Sequence, residues 1–281
     1  MLSLLIAVGA SYLGLTLAAA ARRSNTLYMQ RLHLFSGSAS LGFGIWSMHF
    51  IGMLAFEMPT HVHYHPWITA LSAAPSLFAS WVALSLLARH DLTGPRLIGG
   101  GVVVGAGIGA MHYLGMAAME IGPALRYDPT LFALSIVVAV MLGTLALWIS
   151  FGLRHRTRLR GYKRRLLAGT VMGLAIAGMH YTAMEAARFI GQPAPDFLPG
   201  SNSHTILALT IAFVTVTLSL LASGVNAVAR YRALMRRSQE TASELRTIVD
   251  AAVDGIIKIS DRGIVLSFNE SAERIFGYRA E

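Results

Sequence analysis

The chain has 281 residues, 54% of them hydrophobic and only 13% charged, about half the ~25% charged fraction of soluble domains. With a mean hydropathy of +0.56, it falls outside the disordered, collagen-like and ordinary soluble-enzyme classes and reads as a membrane protein. No cysteine is present, which removes disulfide frameworks, thiolate zinc sites, iron–sulfur clusters and Cys nucleophiles.

Apolar runs of about twenty residues, enough to cross ~30 Å of hydrocarbon as helix, recur seven times, near 2–21, 35–56, 67–88, 97–118, 131–153, 166–187 and 205–229. The first ends in Ala18-Ala19-Ala20-Ala21, yet it lacks a basic leader and Arg22-Arg23 follow at once. It is therefore expected to be a retained helix and not a signal peptide. One set of loops carries Arg22, Arg23 and Arg31, then Arg89 and Arg96, then a dense run from Arg154 to Arg165, and finally Arg230, Arg232, Arg236 and Arg237. The opposite loops carry only Arg126 and Arg188. The positive-inside rule places the N-terminus outside and the residues after 229 in the cytoplasm. Topology and anionic lipid headgroups account for the net charge of +9, and no nucleic-acid partner is expected.

The second, fourth and sixth spans end in one pattern: Ser47-Met48-His49-Phe50-Ile51-Gly52-Met53, Ala110-Met111-His112-Tyr113-Leu114-Gly115-Met116 and Gly178-Met179-His180-Tyr181-Thr182-Ala183-Met184. Ile45, Ile108 and Ile176 stand four residues before each His, Gly42, Gly105 and Gly173 seven before it, and Glu57, Glu120 and Glu185 follow. Composition alone would produce Met-His-x-x-x-Met about 0.02 times, so three equivalent copies mark a real repeat. The unit is a two-helix hairpin of 63 to 68 residues. The predicted fold is thus an all-α polytopic membrane protein, seven transmembrane helices built from three repeated hairpins plus one, followed by a truncated α+β segment.

All three motif-bearing spans run outward, which puts each His ~10 Å below the outer boundary. The Met four residues on and the Gly seven before share its helix face. Small residues on that face permit close helix approach in lipid, so the three even helices are expected at the centre with the odd ones around them. A histidine at this depth is costly and reads as functional. Imidazoles combined with soft thioethers suit copper, Cu(I) above all, better than zinc, magnesium or calcium. His49, His112 and His180 are the candidate primary ligands, with Met53, Met116 and Met184 as weaker ones and Met48, Met111 and Met179 beside them. Tyr113 and Tyr181 are candidate cofactor-contacting residues, although Phe50 at the equivalent place means that a phenol is not required in every repeat. His61, His63 and His65 in an outer loop could deliver or bind metal. Haem held by two of the histidines, or by His and Met, is the less favoured alternative, in an electron-transfer protein. A metal-free structural or partner-binding module and metal transport also stay open. A retinal Schiff base is excluded, because the only lysines, Lys163 and Lys258, lie outside the spans.

After residue 229 the composition becomes that of a soluble segment. Leu234, Ser238, Thr241, Leu245, Ile248 and Ala252 form a weak heptad seam, which suits a signalling or linker helix over 230–252 and a homodimer through it. In 253–281, Gly255–Ser260 and Ile264–Phe268 read as strands about an Asp261-Arg262-Gly263 turn, and Asn269 as the cap of a short helix through Phe276. Two strands and one helix cannot bury a core alone, so this region is expected to be the N-terminal part of an incomplete domain.

The three Met-His-aromatic motifs, with Met179-His180-Tyr181-Thr182 in full, closely resemble the MHYT family of bacterial membrane sensor domains over residues 1–229. The first repeat departs with Phe50 and Ile51 and the second with Leu114. The resemblance implies a seven-helix sensor of the bacterial cytoplasmic membrane that binds copper and senses oxygen, carbon monoxide or nitric oxide. Residues 244–281 resemble the start of a PAS domain, through Asp254-Gly255-Ile256-Ile257, Phe268-Asn269 and Ile275-Phe276-Gly277-Tyr278. Proteins similar to this one often continue into GGDEF and EAL domains of cyclic di-GMP turnover. No such motif stands in this chain, so it is expected not to be an enzyme itself, any such output lying beyond residue 281.

Overall fold

A computed structural model describes residues 1–56, 62–121, 124–156, 161–190 and 205–279, with backbone only at 154–156 and 205–207. The chain forms two compact units, Met1–Asn226 and Ala227–Glu281. In the first, helices α1 (Leu2–Arg22), α2 (Leu27–Leu54), α3 (Pro66–Leu71), α4 (Ala73–Ala88), α5 (Gly94–Ala117), α6 (Pro129–Arg156) and α7 (Gly161–Met184) precede α8 (Thr205–Ala251), which runs on into the second unit. Among the described residues, six segments are long and apolar enough to cross a membrane: Leu2–Arg22, Pro66–Ala88, Gly94–Ala117, Pro129–Leu153, Gly161–Met184 and Ala208–Ala251. α2 is not among them, so the crossing expected at 35–56 is not matched on hydropathy. Its 28 residues include His33, Ser36, Ser38, Ser40, Ser47 and His49, which lower its apolarity and are buried against other helices.

The long helices close into a ring, each packing chiefly on two neighbours in the order α1, α2, α4, α5, α6, α7 and back to α1. The glycines explain this order. A Cβ on Gly42 would lie 2.8 Å from Leu77 Cα in α4, one on Gly105 2.5 Å from Val140 Cα in α6, and one on Gly173 2.9 Å from the Val8 nitrogen in α1. Each motif helix therefore lays its repeat glycine against the first helix of the next repeat, and the third repeat closes on the first. The central trio of even helices predicted from sequence is corrected accordingly. α2, α5 and α7 have their main contacts with odd helices and only lesser ones with each other, because their glycine faces turn toward the odd helices.

The predicted span 67–88 is broken at Ser72, between α3 and α4. Pro75 has no N–H to offer the carbonyl four residues back, which weakens the helix there. Trp46 of the first repeat clasps the break, its indole N–H donating to Thr69 O at 3.0 Å and to Ser72 Oγ at 3.1 Å. Asp128 starts α6 by accepting from the Thr130 and Leu131 amides, 3.0 Å each.

The loops that follow the motif helices pair into two short ribbons: β1 (His63–Tyr64) with β2 (Met119–Glu120), and β3 (Ala124–Tyr127) with β4 (Ala187–Ile190), both antiparallel. Each joins neighbouring repeats. Within the first unit α8 meets α2 through polar groups, Ser40 Oγ and Ser219 Oγ at 3.0 Å and the buried pair His33 Nδ1 and Asn226 Oδ1.

In the second unit, β5 (Ile257–Ile259) pairs antiparallel with β6 (Val265–Phe268), and α9 (Glu270–Phe276) follows. The Asp261-Arg262-Gly263 turn has Gly263 at φ +79°, where a side chain would be strained. Asn269 caps α9, its Oδ1 accepting from Ala272 N, and also ties in the preceding loop by accepting from Ile256 N. The seam residues Leu234, Leu245 and Ile248 are exposed.

Candidate metal centre

His49, His112 and His180 sit close to the C-terminal ends of α2, α5 and α7, and the ring closure brings all three together. Their Nδ1 atoms form a near-equilateral triangle with sides of 3.2, 3.2 and 3.3 Å, and the three rings are fully buried. Nitrogens so spaced share a central point about 1.9 Å away in their plane, close to the ~2.0 Å imidazole-to-metal distance. A small displacement out of the plane brings the two into register. Among the described residues this is a cluster with the donors to hold a metal ion.

Hydrogen bonding alone does not satisfy the triangle. In a neutral imidazole each nitrogen is either donor or acceptor, and three such atoms around a ring cannot alternate. At least one of the three contacts must set donor against donor or acceptor against acceptor. A cation at the centre, with all three Nδ1 lone pairs turned to it, removes the conflict. Under that arrangement Nε2 carries the proton, and the Nε2 atoms of His49 and His112 are both buried without a hydrogen-bond partner. The residues therefore fit a bound metal ion. Nitrogens 3.2 to 3.3 Å apart leave no slot for a macrocycle between them, so haem fits this arrangement poorly.

Glycine makes the approach possible. A Cβ on Gly115 would come within 2.3 Å of His49 Nε2, and one on Gly52 within 2.7 Å of His180 Nε2. The imidazole of one repeat thus lies over the small residue three places after the His of the next. Ala183, fully buried, holds the equivalent position in the third repeat. These positions were missed in the sequence, although a small residue at His+3 in every repeat marked them.

The methionines divide into two layers. Met48, Met111 and Met179 are buried in the main core with Ile45, Ile108 and Ile176. Met53 and Met116 are buried in a second cluster, against which Met184 packs, together with Met119 and Val62 and roofed by Tyr64, Tyr127 and Phe189 of the ribbons. The thioethers four residues after each His are thus gathered on the ribbon side of the triad. The aromatic residue after each His stands edge-on to it, with centroid distances of 4.8 Å for Phe50, 5.0 Å for Tyr113 and 5.2 Å for Tyr181. What the repeats share is a ring and not a hydroxyl. The Tyr113 hydroxyl is engaged with Ser135 Oγ at 2.6 Å, and Tyr181 is 55% exposed; neither hydroxyl is placed among the imidazole nitrogens.

In the roof, burial pushes Tyr64 up to about 12, and burial with the neighbouring Tyr113 does the same for Tyr127. Of the outer-loop histidines, His63 lies in β1 opposite Glu120, and His65 has a buried Nδ1 without a partner. His61, Met58 and Glu57 lie outside the described residues.

Residues 42–100, 105–162 and 173–237 match the MHYT family, described as a bacterial signalling protein N-terminal repeat, and residues 243–281 match the PAS fold. The signaling protein YkoW of Bacillus subtilis is 36% identical over 99% of this chain and 35% of its own length. The bifunctional diguanylate cyclase/cyclic di-GMP phosphodiesterase MucR of Pseudomonas aeruginosa is 36% identical over 92% of this chain and 38% of its own. The cyclic di-GMP phosphodiesterase NbdA of the same organism is 37% identical over 69% of this chain and 24% of its own. The chain spans between a quarter and two fifths of these relatives' length. No solved structure matches. Three repeats, each contributing one histidine to a common centre and followed by a PAS segment, are a membrane signalling sensor region, and the chain belongs to the MHYT family.

Proposed function

We propose that this chain is a copper-dependent sensor of redox state or of a diatomic gas (oxygen, carbon monoxide or nitric oxide) and passes its state to a cytoplasmic output. The observation that carries the reading is the triangle of Nδ1 atoms at 3.2 to 3.3 Å, which an ion resolves and hydrogen bonds do not. His49, His112 and His180 hold the ion through Nδ1, each keeping its proton on Nε2. The thioethers of Met53, Met116 and Met184 lie on the outer side, and soft sulfur next to imidazole favours copper over the harder cations. Met48, Met111 and Met179 support the imidazoles from the core layer. The rings of Phe50, Tyr113 and Tyr181 flank the histidines and exclude water. Copper held there supplies a one-electron couple and a coordination position for a small ligand.

The repeats cross the bacterial inner membrane with α2 counted as a crossing, giving seven spans in residues 1–229, the N-terminus outside and the C-terminus in the cytoplasm. The basic loops and the paired hairpins support that topology. A change at the triad alters how α2 packs, and α2 engages α8 through Ser40–Ser219 and His33–Asn226. Residues 230–252 act as a linker helix that pairs with a second copy along Leu234, Leu245 and Ile248. Residues 253–281 begin a PAS-like domain. The names of the relatives support an output in cyclic di-GMP signalling, carried by domains outside this chain.

The test is elemental analysis of the detergent-solubilised chain, purified without a polyhistidine tag. Near-stoichiometric copper that disappears in His49→Ala, His112→Ala and His180→Ala supports the reading. Metal retained in all three variants sinks it, and iron with a Soret band replaces it with haem.

A further inference from the structure

At the other end of the bundle a second polar cavity occurs, which the sensing reading does not use. Arg22 at the end of α1 and Arg164 and Arg165 in the first turn of α7 line a cavity of about 50 Å³, together with Ser150 of α6. Arg164 lies sixteen residues before His180 on one helix, so the cavity is ~24 Å from the triad. Ser150 is buried, and its Oγ has no partner; the Nε of Arg165 is likewise buried and without a partner. Among the described residues, no carboxylate lines the cavity. Asp91 is the one acidic residue in the three loops of this end, 23–26, 89–93 and 157–160.

We propose that this cavity binds a phosphate group, carried by an anionic phospholipid or free in solution. Guanidinium groups recognise phosphate oxygens through paired charge-assisted hydrogen bonds. The Ser150 hydroxyl supplies a further donor. The volume is several times the ~10–15 Å³ that one water needs, enough for a tetrahedral oxyanion. Beyond the polar groups the walls are apolar, with Leu15, Ala18 and Leu87, which is the setting of a headgroup whose chains continue into lipid. A headgroup bound there joins α1 of the first repeat to α7 of the third, the seam at which the ring closes. The site requires no metal, so it stands or falls apart from the copper reading; its headgroup source rests on the proposed topology.

The test uses the full chain, wild type against Arg22→Gln/Arg165→Gln, Ser150→Ala and Arg96→Gln, the last changing a charge on the same side outside the cavity. Native mass spectrometry from nanodiscs of phosphatidylcholine with phosphatidylglycerol reads the lipid source. Thermal shift in neutral detergent with inorganic phosphate reads the free one. Each lost charge-assisted contact weakens binding roughly tenfold. Retention of phosphatidylglycerol that is lost in the double variant, reduced in Ser150→Ala and unchanged in Arg96→Gln supports a lipid phosphate. The same pattern with inorganic phosphate supports the free ion. Equal binding by all four proteins, or none by wild type to either probe, overturns the proposal. Ser150→Ala keeps the arginines and the fold, so it decides the matter if the double variant fails to assemble.

Discussion

The two ends of the bundle hold polar groups inside the protein by opposite means. At the outer end three rings capable of binding a cation are drawn together because Gly52, Gly115 and Ala183 present almost no side chain to them. At the inner end three cations line one cavity at the seam between repeats, with Ser150 and Arg165 Nε left unpartnered. On the proposed readings a cation would complete the first set, where neutral imidazoles turn their lone pairs together, and a phosphate the second, where guanidinium groups line the cavity.

The largest expected effect that separates the ends comes from one methyl group. Gly115→Ala would set a Cβ within 2.3 Å of His49 Nε2, so the ring must move, and metal sites tolerate only ~0.5 Å of displacement. Copper affinity in a chelator competition should fall by roughly a hundredfold. Gly99→Ala, with nothing within 4 Å, should leave it unchanged, and an equal loss in both would break the comparison. Next is the seam itself. Gly105→Val meets Val140 Cα at 2.5 Å, backbone that cannot yield as a flexible side chain can, and should cost roughly 3 kcal/mol in denaturant unfolding. Met116→Leu comes third: its volume is nearly conserved, so stability should change by less than about 1.5 kcal/mol. Cu(I) affinity should still fall roughly tenfold if the thioether contributes. The smallest effect concerns the roof. Tyr64 has a folded value of about 12 against an unfolded one near 10. Its neutral form is favoured by folding, so that stabilisation is whole below pH ~10 and is lost as pH rises toward 12. An alkaline melt should show a smaller loss in Tyr64→Phe than in wild type, the remainder coming from Tyr127, which is raised in the same way.

Much of this was legible in the sequence because a triplicated pattern reports on symmetry. Equivalent His positions on equivalent helices must meet near the axis if the repeats close on themselves, and 49, 112 and 180 do. The seam was only half legible. Gly42, Gly105 and Gly173 announced close approach, but periodicity cannot say which neighbour approaches, and the partners are Leu77, Val140 and Val8. The ribbons were illegible, since strands as short as His63–Tyr64 carry no alternation and are set by the register of the helices beneath. Tyr181 was legible in its place: its ring stands edge-on to His180 at 5.2 Å, as the aromatic residue after the His does in each repeat.

The triad also carries a consequence for how the protein is made. Its three members are separated by 63, 68 and 131 residues, one from each hairpin, so no chain that stops before α7 contains the whole set. A nascent chain halted before α7 leaves the translocon with two imidazoles facing an absent third, and the ring has no seam to close. Under the copper reading, loading of the centre would follow insertion of the third hairpin, and an occupied centre would report that α1 to α7 have assembled.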